Sequence, residues 1–157
     1  MSCLVVCAAC SDGTLGDVRT FDACSPLAVT APAATDAQRA SLAGASAAWA
    51  SVGVTAIDDT GSATDSVALV FANGSPAEYG FYDGAASPPT ITINLDLDDT
   101  TRAVAIAHEL GHAFGLVHVP AATRASVMNP GNLVVAPTAD DAAAISAIWG
   151  ACAPNAP

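Results

Sequence analysis

Three histidines and a glutamate stand in this chain at intervals that metal chemistry uses. Residues 108–118 read His108-Glu109-Leu110-Gly111-His112-Ala113-Phe114-Gly115-Leu116-Val117-His118 and hold every histidine of the 157-residue sequence. On an α-helix, residues four apart share a face about one turn apart, so His108 and His112 can turn both imidazoles to one metal. Glu109 follows the first ligand directly and points to an adjacent sector, near the metal without having to bind it. A carboxylate there can take a proton from attacking water and hand it to a leaving amine. A straight helix cannot bring a third ligand round. Gly115 supplies the stop, because glycine enters left-handed backbone without a Cβ clash and commonly ends helices. His118 then folds back from three residues beyond. Three neutral imidazoles leave a coordination position open, as in catalytic rather than closed structural zinc sites, and zinc bound there would bring water to a pKa of about 7. The competing reading is an ordinary helix with three surface or core histidines. It must treat the offsets of Gly115 and His118 as accident.

The surrounding pattern supplies elements to hold such a segment. Thr35 or Asp36 is suited to cap a helix running to about Ser51, with Leu42, Ala45 and Trp49 at helical spacing and Trp49 in the core. Val52–Ile57 reads as a strand, Asp58–Asp65 as an acidic loop and Val67–Phe71 as a continuous apolar, central strand. Leu27-Ala28-Val29 reads as a short first strand. Asn73-Gly74-Ser75-Pro76 turns the chain. Tyr79-Gly80-Phe81-Tyr82 reads as a short aromatic strand at the sheet edge, and Thr90–Leu95 alternates as a half-buried strand does. Thr100 or Thr101 is expected to cap the histidine helix, whose buried side is Val104, Ala107 and Leu110. Pro137-Thr138 leads into a last helix with Ile145, Ile148 and Trp149 turned to the core.

Composition narrows the class. At 157 residues with 52% hydrophobic residues, the chain is one domain able to bury a core. The net charge is −11 and the basic residues are only Arg19, Arg39, Arg102 and Arg124, which argues against nucleic acid or an anionic membrane as partner. The expected state is a monomer. The N-terminal run Met1–Cys10 is too short to span a bilayer. It resembles the end of a secretory signal without a positive n-region. Ala8-Ala9-Cys10 is also similar to the close of a bacterial lipoprotein signal, in which Cys10 would carry lipid and tether the protein to a membrane. A plain apolar N-terminus is the alternative. The expected layout is residues 1–10 as a signal-like segment, 11–25 as an N-terminal arm, 26–152 as the domain and 153–157 as a tail. Export favours a disulfide between Cys24 and Cys152, which flank the domain, over two unpaired thiols in frayed ends.

The zinc pattern of residues 108–118 resembles the signature of the metzincin metallopeptidases, which also carry a methionine turn downstream of the third histidine. Ser126-Val127-Met128-Asn129-Pro130 is similar to that turn. The resemblance implies that Met128 forms an apolar floor beneath the ligands and is not itself a ligand. Within the clan the chain is most similar to the matrixins. The further likeness is the segment Asp140–Gly150, with its paired Asp and terminal aromatic-Gly, and it extends over about residues 26–150. It implies an α+β zincin domain: a mixed twisted sheet with an antiparallel edge strand, an active-site helix, the methionine turn and a C-terminal helix. It implies one catalytic Zn2+, endopeptidase activity with Glu109 as general base, and a peptide or protein substrate bound along the edge strand Gly80, Phe81 and Tyr82. A binding module with little turnover, or a hydrolase of another amide, are the rival functions. Asp96 matches a calcium-binding Asp, with Asp98 and Asp99 close by, so Ca2+ is a second expected ion. A solvated acidic turn favouring the helix start is the alternative. Three departures stand out. No histidine remains for a structural zinc, the only tyrosines, Tyr79 and Tyr82, lie upstream of the motif, and Asn132 stands where many matrixins have a pocket-lining Tyr.

Overall fold

The computed structural model describes residues 19–74 and 78–152. Its elements run β1 (Leu27–Thr30), α1 (Asp36–Ser51), β2 (Ile57–Asp58), β3 (Asp65–Ala72), β4 (Gly80–Asp83), β5 (Thr90–Asn94), α2 (Asp99–Ala113) and α3 (Ala139–Trp149). The chain is α+β, with three helices and a mixed five-stranded sheet in the order β2-β1-β3-β5-β4. β1 pairs in parallel with β2 and β3, and β3 with β5, while β4 runs antiparallel to β5 along the edge. Residues 1–10 with Cys10, the first part of the arm, most of the turn at 75–77 and the tail at 153–157 lie outside the described residues.

Side-chain alternation gives the sheet one covered face. Val67, Leu69, Ile91, Ile93, Leu27 and Val29 are buried there, whereas Val70 is 44% exposed on the opposite face. β3 is central, as its apolar run suggests, but it is buried on one side only. Its open face carries small or polar residues such as Ser66 and Ala68. Helix α2 packs on β4 and β5, and α1 packs on α2. Trp49, fully buried, donates from its indole to the carbonyl of Ala107 at 3.0 Å, which fixes the two helices relative to each other.

Several local expectations are corrected. Thr35 caps α1 by a reciprocal pair of bonds with Gln38, but α2 is capped by Asp98, not Thr100 or Thr101. The Asp98 carboxylate accepts from the backbone N–H groups of Thr100 and Thr101 at 3.0 and 2.9 Å. Those contacts, led by the one from Thr101, hold its carboxyl below the usual value. The strand expected over 52–57 shrinks to Ile57–Asp58, because the N–H of Val54 returns to Trp49 O at the end of α1. Val104 is only half-buried, while Ala105 and Ile106 share the core with Ala107 and Leu110. On α3, Ile145 is buried and Trp149 half-buried, but Ile148 is 49% exposed.

Both ends of the domain are tied to α2. Phe21, 4% exposed, is a core residue, and its N–H donates to Ala113 O. Cys24 and Cys152 form a disulfide across a sequence separation of 128. Closing a loop of that length contributes about 4–5 kcal/mol in the chain-entropy account. Among the described residues no helix is long and apolar enough to cross a membrane.

Candidate metal centre

Gly115 (φ 90°) ends α2 one residue past Phe114, its C-cap. The N–H of Gly115 bonds His112 O and that of Leu116 bonds Gly111 O, each at 2.9 Å, the paired arrangement of a left-handed helix stop. This turn does two things for the site. It places Leu116 O 2.8 Å from His112 Nδ1, and it sends the chain back so that His118 faces the helix. The N–H of Val119 then bonds Met128 O, joining the returning segment to the turn that carries Met128.

The three imidazoles converge. His118 Nε2 lies 3.2 Å from both His108 Nε2 and His112 Nε2, and one ligand atom from each residue can be chosen with all three within 4.8 Å of one another. Tetrahedral zinc with bonds of about 2.0–2.1 Å sets its ligand atoms about 3.3 Å apart. Tautomers follow from the partners on the other side of the rings. His108 Nδ1 lies 2.6 Å from Val127 O, and a carbonyl can only accept, so this nitrogen carries the proton. His112 Nδ1 faces Leu116 O in the same way. The Nε2 lone pairs of both rings therefore point to the common centre, the form metal-binding histidines take. Burial, with the neighbouring histidines, pushes His108 down to about 4, so this ring is neutral over the physiological range. His108 is buried, and His112 and His118 are half-buried, open enough for a ligand to reach them. The donor set fits a zinc ion or a similar divalent metal.

Glu109 stands beside this cluster at 2% exposure. Burial pushes its carboxyl up to about 8, and a bond with the backbone N–H of Tyr82 opposes that shift. A dication in the centre would draw it back toward the carboxylate range. A narrow cleft beside the cluster is walled by Tyr79 and Gly80 of the edge segment, Ala105, His108 and Glu109 of α2, and Gly131-Asn132.

The edge strand divides the expected substrate residues. Asn94 N bonds Tyr79 O, so the antiparallel alternation turns the N–H and C=O of Gly80 and Tyr82 away from β5, toward the outer edge. Phe81 is 43% exposed on the open face. The Tyr82 ring is buried, and its hydroxyl donates to Arg19 O. Its backbone N–H bonds the Glu109 carboxylate. Asn132 does not act as a free pocket side chain either. Its amide nitrogen donates to Val127 O and Val135 O, and its oxygen accepts from the N–H groups of Val134 and Val135.

The acidic group upstream is not brought together. Asp98 caps α2 and Asp99 pairs with Arg102 at 2.7 Å, while Asp96 is exposed. Among the described residues, His108, His112 and His118 are the one group of three or more His, Cys, Asp or Glu side chains close enough to share an ion, and Asp96, Asp98 and Asp99 do not form such a group.

Two residues that spacing did not single out hold the centre in shape. Asp141 is fully buried and accepts from Ser126 Oγ, Val127 N, Arg124, Thr138 N and Thr138 Oγ1 at 2.5–3.0 Å. Burial raises its carboxyl, but the bonds from Ser126, Thr138, Val127 and Arg124 prevail and hold it below the usual 3.8. It thereby fixes Val127, whose carbonyl receives His108. Gly111 is the other. A methyl there would collide with Met128 Sδ and lie 3.3 Å from Met128 Cε and 3.5 Å from Trp49 Cζ2. Met128 is 1% and Trp49 0% exposed, so neither can retreat. Gly111→Ala should therefore cost about 1–3 kcal/mol through overpacking, despite alanine's better helix propensity. A thermal melt at or above the wild-type midpoint would refute that. A glycine inside a helix is the signal in the sequence for such close approach, and Thr138-x-x-Asp141 is the signal for a cap.

No family model matches the chain, and no curated protein matches it.

Proposed function

We propose that this protein is a zinc-dependent endopeptidase of the metzincin type, most similar to matrixin catalytic domains. The observation that carries the reading is the convergence of the three imidazoles, with His118 Nε2 3.2 Å from both His108 Nε2 and His112 Nε2, beside the buried Glu109. In this reading the three histidines hold one Zn2+, and Ser126–Pro130 is the methionine turn, with Met128 packed beneath α2 at Gly111. Zinc, when bound, supplies Lewis acidity that acidifies water and polarises a carbonyl. Glu109 takes the proton of the attacking water and delivers it to the departing amine. Its burial keeps the transferred proton away from bulk solvent. An extended peptide lies along the outer edge of β4 against the outward backbone groups of Gly80 and the carbonyl of Tyr82, whose N–H is held by Glu109, by strand addition.

The Cys24–Cys152 disulfide supports an oxidising, exported setting, with the protein extracellular, periplasmic or tethered at a bacterial surface through Cys10. A peptide-library digest tests the activity. Zinc-loaded protein should cleave, and both a chelator and Glu109→Ala should stop it. No cleavage by fully zinc-loaded protein would leave a zinc-binding module in place of a peptidase.

A further inference from the structure

The edge strand approaches the glutamate more closely than any residue with a side chain would allow. A methyl built on Gly80 would lie 2.8 Å from Glu109 Oε1, 2.9 Å from Glu109 Cγ and 3.1 Å from Ile93 Cδ1. Gly80 has no positive φ, so its backbone conformation does not ask for glycine. Space does. Ile93 is 0% and Glu109 2% exposed, so the carboxylate's one direction of retreat is the cleft it lines. Two residues along the same strand, the backbone N–H of Tyr82 bonds the Glu109 carboxylate. Gly80 and Tyr82 share the outward side of the ladder, so one gives the carboxylate room and the other anchors it. Gly80, Glu109 and His108 also line the same cleft.

We infer that Gly80 is a positioning residue for Glu109: the missing side chain at this point of β4 sets where the proton-carrying carboxylate stands relative to the histidine cluster. The inference rests on the reading of Glu109 given above. An alanine would hold β4 and Glu109 apart, moving the carboxylate by a few tenths of an ångström or more while leaving His108, His112 and His118 in place. A misplacement of about 1 Å in catalytic geometry can cost about 10²-fold in rate.

The test is a double-mutant cycle on the full chain: wild type, Gly80→Ala, Glu109→Ala and the double variant, each zinc-loaded. Zinc content, kcat and KM on a peptide found in the library digest, and the thermal midpoint are measured. Gly80→Ala is expected to retain zinc and to lose about 10- to 10²-fold in kcat, with little change in KM. In the Glu109→Ala background the same substitution should change nothing in rate. The midpoint should fall on Gly80→Ala alone and recover in the double variant, where the methyl enters space left by the carboxylate. If Gly80→Ala keeps full activity, or lowers the midpoint equally in both backgrounds, Gly80 only packs the strand and the inference is overturned. Should Gly80→Ala alone fail to fold, a folded double variant supports the contact with Glu109, and a double variant that also fails to fold overturns it. The melting arm needs no activity, so an inactive wild type would sink the peptidase reading and leave the Gly80–Glu109 coupling separately decided.

Discussion

Glu109→Gln should lower peptide turnover by the zinc-loaded protein by about 10²- to 10⁴-fold, the usual range for a lost proton carrier. Bound zinc should stay, because the carboxylate is not among the converging ligand atoms. The amide keeps the shape of the acid, so the loss would report proton transfer and not packing. In the metal-free protein the same substitution should be stabilising, and the sign follows from burial. The folded-state value of Glu109 is raised from 4.5 to about 8. Its contribution to stability is greatest below pH 4.5 and declines as pH rises toward 8, where folding must hold a buried group against its tendency to ionise. Glu109→Gln removes that decline. Metal-free wild type and variant should melt alike near pH 4 and diverge in the variant's favour by pH 8. Equal midpoints at pH 8 would show that the carboxylate is solvated or otherwise compensated. Retained turnover would refute its catalytic role.

Asp141→Asn should be the most damaging single change to the fold away from the histidines. It replaces a fully buried acceptor of five hydrogen bonds, one from Arg124, by an amide that turns a donor toward donors. Breaking a buried charged pair of this kind costs about 3–5 kcal/mol, which lowers the midpoint of a domain this size by roughly 6–20 °C. The pH dependence runs opposite to that of Glu109. The folded-state carboxyl of Asp141 lies below 3.8, so its stabilisation is present above that value and lost as pH falls through the folded-state value. The gap between wild type and variant should close in acid below pH 3.8. Zinc affinity should fall too, by about 10- to 100-fold, as for lost partners of metal-bound histidines. A variant that melts within a degree or two of wild type at pH 7 would remove Asp141 from this role.

What the sequence made legible was short-range. The histidine spacing, the Gly115 stop and the alternation of Thr90–Ile93 are each decided within a few residues and kept by the structure, but the alternation expected to run to Leu95 breaks at its end, where Asn94 is buried and Leu95 is 41% exposed. Trp49 follows from helical periodicity and sits fully buried. Misreadings arose where neighbouring choices competed or where the deciding partner is distant in the chain. Asp98, Thr100 and Thr101 are all good caps, and the choice fell to the one whose carboxylate reaches two N–H groups. Tyr82 sits in an edge strand, yet its ring is committed inward by Arg19, far away in sequence. Asp141 looked like one of a pair of helix-start acids. Its importance comes from Arg124, Ser126 and Val127, which only the tertiary fold brings to it. Gly80 and Gly111 are matters of clearance: a glycine within the helix signals a close approach at Gly111, but which groups approach either residue is set by the tertiary fold.

The last carbonyls of α2 give the site a place in time. Those of Leu110, Gly111 and His112 are answered locally, by Phe114, Leu116 and Gly115. Ala113 O is answered by Phe21 from ahead of the sheet, and Phe114 O by the indole of Trp149 at the end of α3. Contacts so distant in sequence form only after long loops have closed, and they tend to come late in folding. During synthesis Trp149 emerges after every residue of the histidine segment, so Phe114 O meets its partner only once α3 has been made. For the peptidase proposed above, the last two carbonyls of the histidine helix would find their partners only as the two ends of the domain close on it.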